Sequence, residues 1–236
     1  MAAAQGRLTD GAGGAGDGKD GERELNADAW APLPFRAAVD ALRAARPRPR
    51  VELEPVAPPR RLAPYAYALE AAVLDDEGDE LADGRLILLY DPDGHEAWRG
   101  AFRLVTLVRA ELHEPEMAAD PLLPEVSWSW LTGALDARGL GYAEAGGTVT
   151  RAGSHYFGAL ADRPNASQIE IRASWTPTEG LGGVPDTAGH LAAWCDLLAQ
   201  VTGLPPAGPT VADGPAAAPA APVVPLPQRR GPRPQR

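Results

Sequence analysis

The chain has 236 residues, with 22 Lys or Arg and 32 Asp or Glu, giving a net charge of −10. Its first 30 residues carry three basic and six acidic side chains, and Gly203–Arg236 carries four basic and one acidic, so the −10 resides between them. Such a middle repels phosphate backbones and argues against a nucleic-acid partner. The single cysteine, Cys195, excludes an intrachain disulfide, and together with the absence of a signal-peptide pattern or a long apolar run it predicts a cytoplasmic protein with no membrane partner.

Residues 1–30 are rich in Gly, Ala and Asp with hardly a large apolar side chain, and nothing there offsets the entropy of ordering. Residues 204–236 are Pro/Ala-rich with a basic end. Both are predicted to be disordered tails around a single domain over 31–203. A core of that length buries about two-thirds of its unfolded surface without staples, so stability calls for no cofactor.

Along the domain, Phe35, Ala38, Val39 and Leu42 recur at one-stripe spacing and predict a helix from Pro34 to about Arg46, stopped by Pro47. The proline- and arginine-rich stretch that follows reads as extended connection, with Val51–Leu53 at most a short strand. Tyr65–Leu74 alternates bulky and small side chains as a strand. The acidic loop Asp75–Glu80 leads to a second strand, Arg85–Tyr90, whose run of Leu and Ile predicts a central position, and Asp91-Pro92-Asp93-Gly94 is a turn signal.

A third strand runs from about Trp98 to Leu112. Phe102, Leu104, Thr106 and Val108 share one side, and Arg103, Arg109 and Glu111 mix with Val105 and Leu107 on the other, the pattern of a partly covered face. A helix over Pro124–Arg138 ends at Gly139 and Gly141. Strands follow at Tyr142–Phe157, bent at Gly146-Gly147, and at Gln168–Thr176. A last helix is capped by Asp186 and runs to about Thr202. The resulting order is α-β-β-β-α-β-β-α, an α+β fold with an antiparallel five-stranded sheet and helices on one face.

Catalytic signatures are missing. Gly11-Ala12-Gly13-Gly14-Ala15-Gly16 spells G-x-G-x-x-G but lies in the predicted tail rather than between a strand and a helix. His95, Glu111, His113 and Glu116 are the candidate metal ligands, because imidazole and carboxylate suit zinc or manganese, but their spacing does not require convergence and a solvated strand end is the preferred reading. Cys195 falls on the apolar stripe of the last helix, where a thiol is ordinarily inert. Trp128, Trp130, Tyr156, Phe157 and Trp175 are candidates for lining a partner groove, against the default of core packing.

Five segments carry a resemblance at residue level. They are Pro-Leu-Pro-Phe-Arg at 32–36, Arg-Leu-Ala-Pro-Tyr-Ala-Tyr-Ala-Leu-Glu at 61–70, the run Trp-Arg-Gly-Ala-Phe-Arg-Leu-Val-Thr-Leu-Val-Arg-Ala-Glu-Leu at 98–112, Asp-Pro-Leu-Leu-Pro-Glu-Val-Ser-Trp-Ser-Trp-Leu at 120–131 and Gln-Ile-Glu-Ile-Arg-Ala-Ser-Trp-Thr-Pro at 168–177. With these the chain resembles an uncharacterised actinobacterial family, Domain of Unknown Function 3000, which implies lineage and brings no activity or site residues. The element order is also similar to that of type III secretion chaperones. That resemblance implies a polypeptide partner held on an exposed sheet or groove, and a homodimer. The sequence reading therefore favours a non-catalytic, chaperone-like protein-binding module over the alternative of a small enzyme or metal-binding protein using the His/Glu cluster.

Overall fold

A computed structural model describes residues 31–59, 61–112, 115–180 and 182–204; both predicted tails lie outside these apart from Leu204. Helix α1, Leu33–Ala44, carries a proline in its first turn, where a missing N–H costs nothing, and buries the four predicted residues Phe35, Ala38, Val39 and Leu42. Strand β1, Val51–Val56, follows. Next come β2, Tyr65–Leu74, then β3, Glu80–His95, and β4, Gly100–Glu111. A short helix α2, Pro115–Ala119, precedes α3, Leu123–Ala137. Strands β5, Tyr142–Ser154, and β6, Ala166–Pro177, lead to α4, Thr187–Val201.

The sheet is antiparallel throughout, in the order β1-β2-β3-β4-β6-β5. It has six strands where the sequence predicted five. The additional strand is β1, which pairs with β2 from Val51↔Val73 to Val56↔Ala68. Its proline, Pro55, concealed it, yet an edge strand tolerates proline because one row of its N–H groups has no ladder partner to lose. The turn signal at Asp91–Gly94 also sits inside β3. The register slips between Tyr90 and His95, and the chain reverses later, through a 3-10 turn at Glu96–Trp98 and Arg99 in the left-handed region (φ 54°).

Pleating sorts the strand residues onto two faces. On β4 the buried set is Phe102, Leu104, Thr106, Val108 and Ala110, as alternation predicted. Helical side chains meet this set. Phe35 of α1 lies against Tyr65 and Tyr90 (ring centroids 5.7 and 6.0 Å), and Tyr90 against Phe102 (4.5 Å). Trp194 of α4 donates its indole N–H to Thr106 Oγ1 at 2.6 Å and covers Gly84, where an added Cβ would come within 2.9 Å of the ring.

The helices are tied to one another as well. Thr187 Oγ1 donates to the Ala38 carbonyl at 2.7 Å, and Asp186 accepts from the Gly189 N–H at 2.9 Å as the N-cap of α4. Arg138 grips Asp196 through two N–H groups at 2.9 and 2.7 Å, joining α3 to α4. Among the described residues no helix is long and apolar enough to cross a membrane.

Candidate functional site

The face of the sheet opposite α1, α3 and α4 is the one whose side chains are not spent on the helix-side core. Strand register writes this face out in rows. One row runs Glu54, Glu70, Arg85, Leu107, Arg172, Thr148 from β1 across to β5. The next runs Val56, Ala68, Ile87, Val105, Ser174, Gly146. The alternation that sends Leu86, Leu88, Leu104 and Val108 into the core therefore leaves Ile87, Val105 and Leu107 half-buried in the middle of the other face.

Two depressions occupy it. One, of about 720 Å³, lies over β1–β4 among Glu52, Glu54, Glu70, Glu80, Asp83 and Arg109. The other, of about 450 Å³, lies over β3–β5 and is floored by Ile87, Val105 and Leu107 beside Gly146, Gly147 and Thr148. Both are lined by Arg85 and Leu107, so they adjoin there, and the pair is termed the groove.

The groove is zoned by charge. Arg85 pairs with Glu70, Arg109 with Asp83 at 3.0 Å and Arg172 with Glu170 at 2.7 Å. These exposed pairs add little stability but neutralise the arginines. Glu52, Glu54 and Glu80 have no ion-pair partner among the described residues, so the β1 end is net acidic. At the rim Arg103 donates to Thr176 Oγ1 at 2.9 Å and Ser174 Oγ at 2.7 Å; burial pulls its guanidinium below the ordinary arginine range, with Glu144 opposing.

The candidate metal ligands are scattered. His95 ends β3 opposite Gly100, stacked on Trp98 at 4.5 Å, whereas Glu111 ends β4 opposite Gln168. A strand rises about 3.4 Å per residue, so the length of β4 separates His95 from Glu111 by on the order of 35 Å, and they cannot share an ion. His113 lies outside the described residues, and for Glu116 only the backbone, in α2, is described. Among the described residues no three His, Cys, Asp or Glu side chains are grouped to hold a metal.

The five candidate aromatics do not converge either. Trp175 is 0 % exposed and donates its indole N–H to His190 Nδ1 at 3.2 Å, deep in the core. Trp128 and Trp130 are both half-buried on α3, with Trp128 lying over Gly147. Half-buried Tyr156 has the Arg163 guanidinium 5.9 Å from its ring, and Phe157 is 81 % exposed in the β5–β6 connection. None of the five lines the groove. Its apolar floor was written in the sequence as the mixed side of the third strand, but only strand order shows that Ile87 lies beside Val105 on that side.

Cys195 is buried, and its thiol is pushed up to about 12 by burial first and by Asp196 second. It holds its proton at neutral pH. A disulfide reagent such as Ellman's should leave the native protein unmodified at pH 8 and titrate one thiol in denaturant; rapid labelling of the native chain would contradict this burial.

The family model described as Protein of unknown function (DUF3000) matches residues 31–211, which span every element above. No curated protein and no solved structure matches the chain.

Proposed function

We propose that this chain, which belongs to the DUF3000 family, is a non-catalytic, chaperone-like protein-binding module whose docking surface is the helix-free face of the sheet. One observation carries the reading: an apolar floor of Ile87, Val105 and Leu107 is left half-buried at the centre of a face no described helix covers, with charge zoned around it. A sheet face needing no partner would be polar at alternate positions across its centre. Apolar side chains ringed by polar groups favour burial against a partner.

The zoning selects the partner's chemistry. It is a polypeptide segment with apolar side chains for the floor and Lys or Arg at the end that crosses Glu52, Glu54 and Glu80. Phosphate-rich partners are disfavoured by that same acidic end.

Fluorescence anisotropy with labelled peptides tests this. Peptides with an apolar centre and a basic end should bind at micromolar concentration, and swapping the basic pair for glutamates should weaken binding by roughly tenfold. Val105→Asp with Leu107→Asp should weaken it by at least about tenfold while the fold is retained by circular dichroism. If no such peptide binds, or the double variant binds as well as the parent, the open face is not the docking surface.

A further inference from the structure

The two edges of the sheet differ in how they are protected. At one edge β1 carries Pro55, Glu52 and Glu54, the devices that discourage another strand from pairing. At the other, β5 extends 13 residues, exposed along nearly its whole length, with no proline and no lysine; a bulge between Ala143 and Gly146, with Glu144 in the left-handed region (φ 51°), interrupts its start, so the regular edge runs from Gly146 to Ser154. Its two charged residues are occupied within the chain: Arg151 donates to the Asp120 carbonyl at 2.7 Å, and Glu144 pairs with Arg99 at 3.0 Å. What remains outward is a row of backbone N–H and C=O groups flanked by Gly146, Gly147, Thr148, Val149 and Thr150.

We infer that two copies of this chain pair through β5, antiparallel about a two-fold axis, into one continuous twelve-stranded sheet. An antiparallel edge is its own complement under such an axis, so a second copy can satisfy the regular part of the row, from Gly146 onward. The strand's charges agree with this. Glu144 and Arg151, each held within its own chain, stand toward opposite ends, so a pairing centred between Gly146 and Thr150 sets no like charges against each other. Like charges would be opposed only if the axis passed through one of them.

The flank is suited as well. Trp128 lies over Gly147 on the helix side and is half-exposed there, an apolar shoulder for the strand that joins. The groove end lined by Gly146, Gly147 and Thr148 reaches this edge, so the dimer places two groove ends side by side at the axis. The dimer itself does not depend on the groove binding anything.

Sedimentation equilibrium on the full chain up to about 100 μM tests the pairing. The expected mass is twice the 24.7 kDa of the chain. Thr148→Lys with Thr150→Lys places lysines where the two strands would face each other, and should raise the dissociation constant at least about tenfold with the circular dichroism spectrum unchanged. Cysteines introduced singly at 148, 149 and 150 should give an oxidised dimer at the position on the axis, whereas Glu54→Cys on the opposite edge should give none. A monomer at the highest concentration overturns the inference. So does a dimer that withstands the double lysine variant and yields no β5 cross-link.

Discussion

Replacing Trp194 with alanine should cost about 3–5 kcal/mol of folding stability, the range for deleting a fully buried tryptophan. Its ring is 0 % exposed and fills the space that Gly84 leaves in β3, and its N–H is held by Thr106 Oγ1, which in turn donates to the Arg85 carbonyl at 3.0 Å. The chain from α4 through Thr106 to Arg85 thus fixes the backbone that presents Arg85 and Leu107 to the groove. Trp194→Phe keeps most of the packing and loses the hydrogen bond, and should cost about 1–3 kcal/mol. Urea denaturation of both variants measures these losses. A Trp194→Ala protein within about 1 kcal/mol of the parent would mean that α4 does not support the sheet in this way. The converse change is also restricted: Gly84→Ala pushes a methyl toward Trp194 and Leu198, at 2.9 and 3.0 Å, and should cost about 1–3 kcal/mol by overpacking.

Elements whose hydrophobic period is long and clean were legible in the sequence. The α1 stripe, the β4 alternation and the Asp186 cap of α4 are local patterns, and the structure forms them where the spacing placed them. β1, read as at most a short strand over Val51–Leu53 and left out of the sheet, was underestimated because its evidence is not local. Six residues containing a proline and two glutamates read as a strand only once β2 is present to pair with them. The candidate site was less legible for the same reason. Ile87, Val105 and Ser174 are neighbours through strand register, although tens of residues separate them in the chain. Size, by contrast, was misleading: Trp175 stood out as a binding aromatic, but alternation on β6 turns it to the helix side with Ile169, Ile171 and Ala173.

Stability should fall as the pH drops from about 6.5 to about 4, because of His190. The imidazole is 1 % exposed; burial lowers its pKa from 6.5 to about 4, with Asp186 and the Gly141 carbonyl opposing. Geometry requires the neutral form, since Nδ1 accepts the Trp175 indole N–H at 3.2 Å and a proton there would set two donors against each other. Above about pH 6.5 neither the folded nor the unfolded state protonates His190, and its full contribution to stability is present. Between 6.5 and 4 only the unfolded chain takes up the proton, which draws the equilibrium toward unfolding by a total of about 3 kcal/mol; below about 4 both states carry it and the loss stops growing. His190→Gln retains an acceptor for Trp175 and does not titrate, so the difference in stability between parent and variant isolates the histidine from the carboxylates. That difference, measured by urea denaturation at pH 7.5 and pH 4, should shrink by about 3 kcal/mol at the lower pH. A difference independent of pH would place His190 in contact with water and release Trp175 from its role in the core.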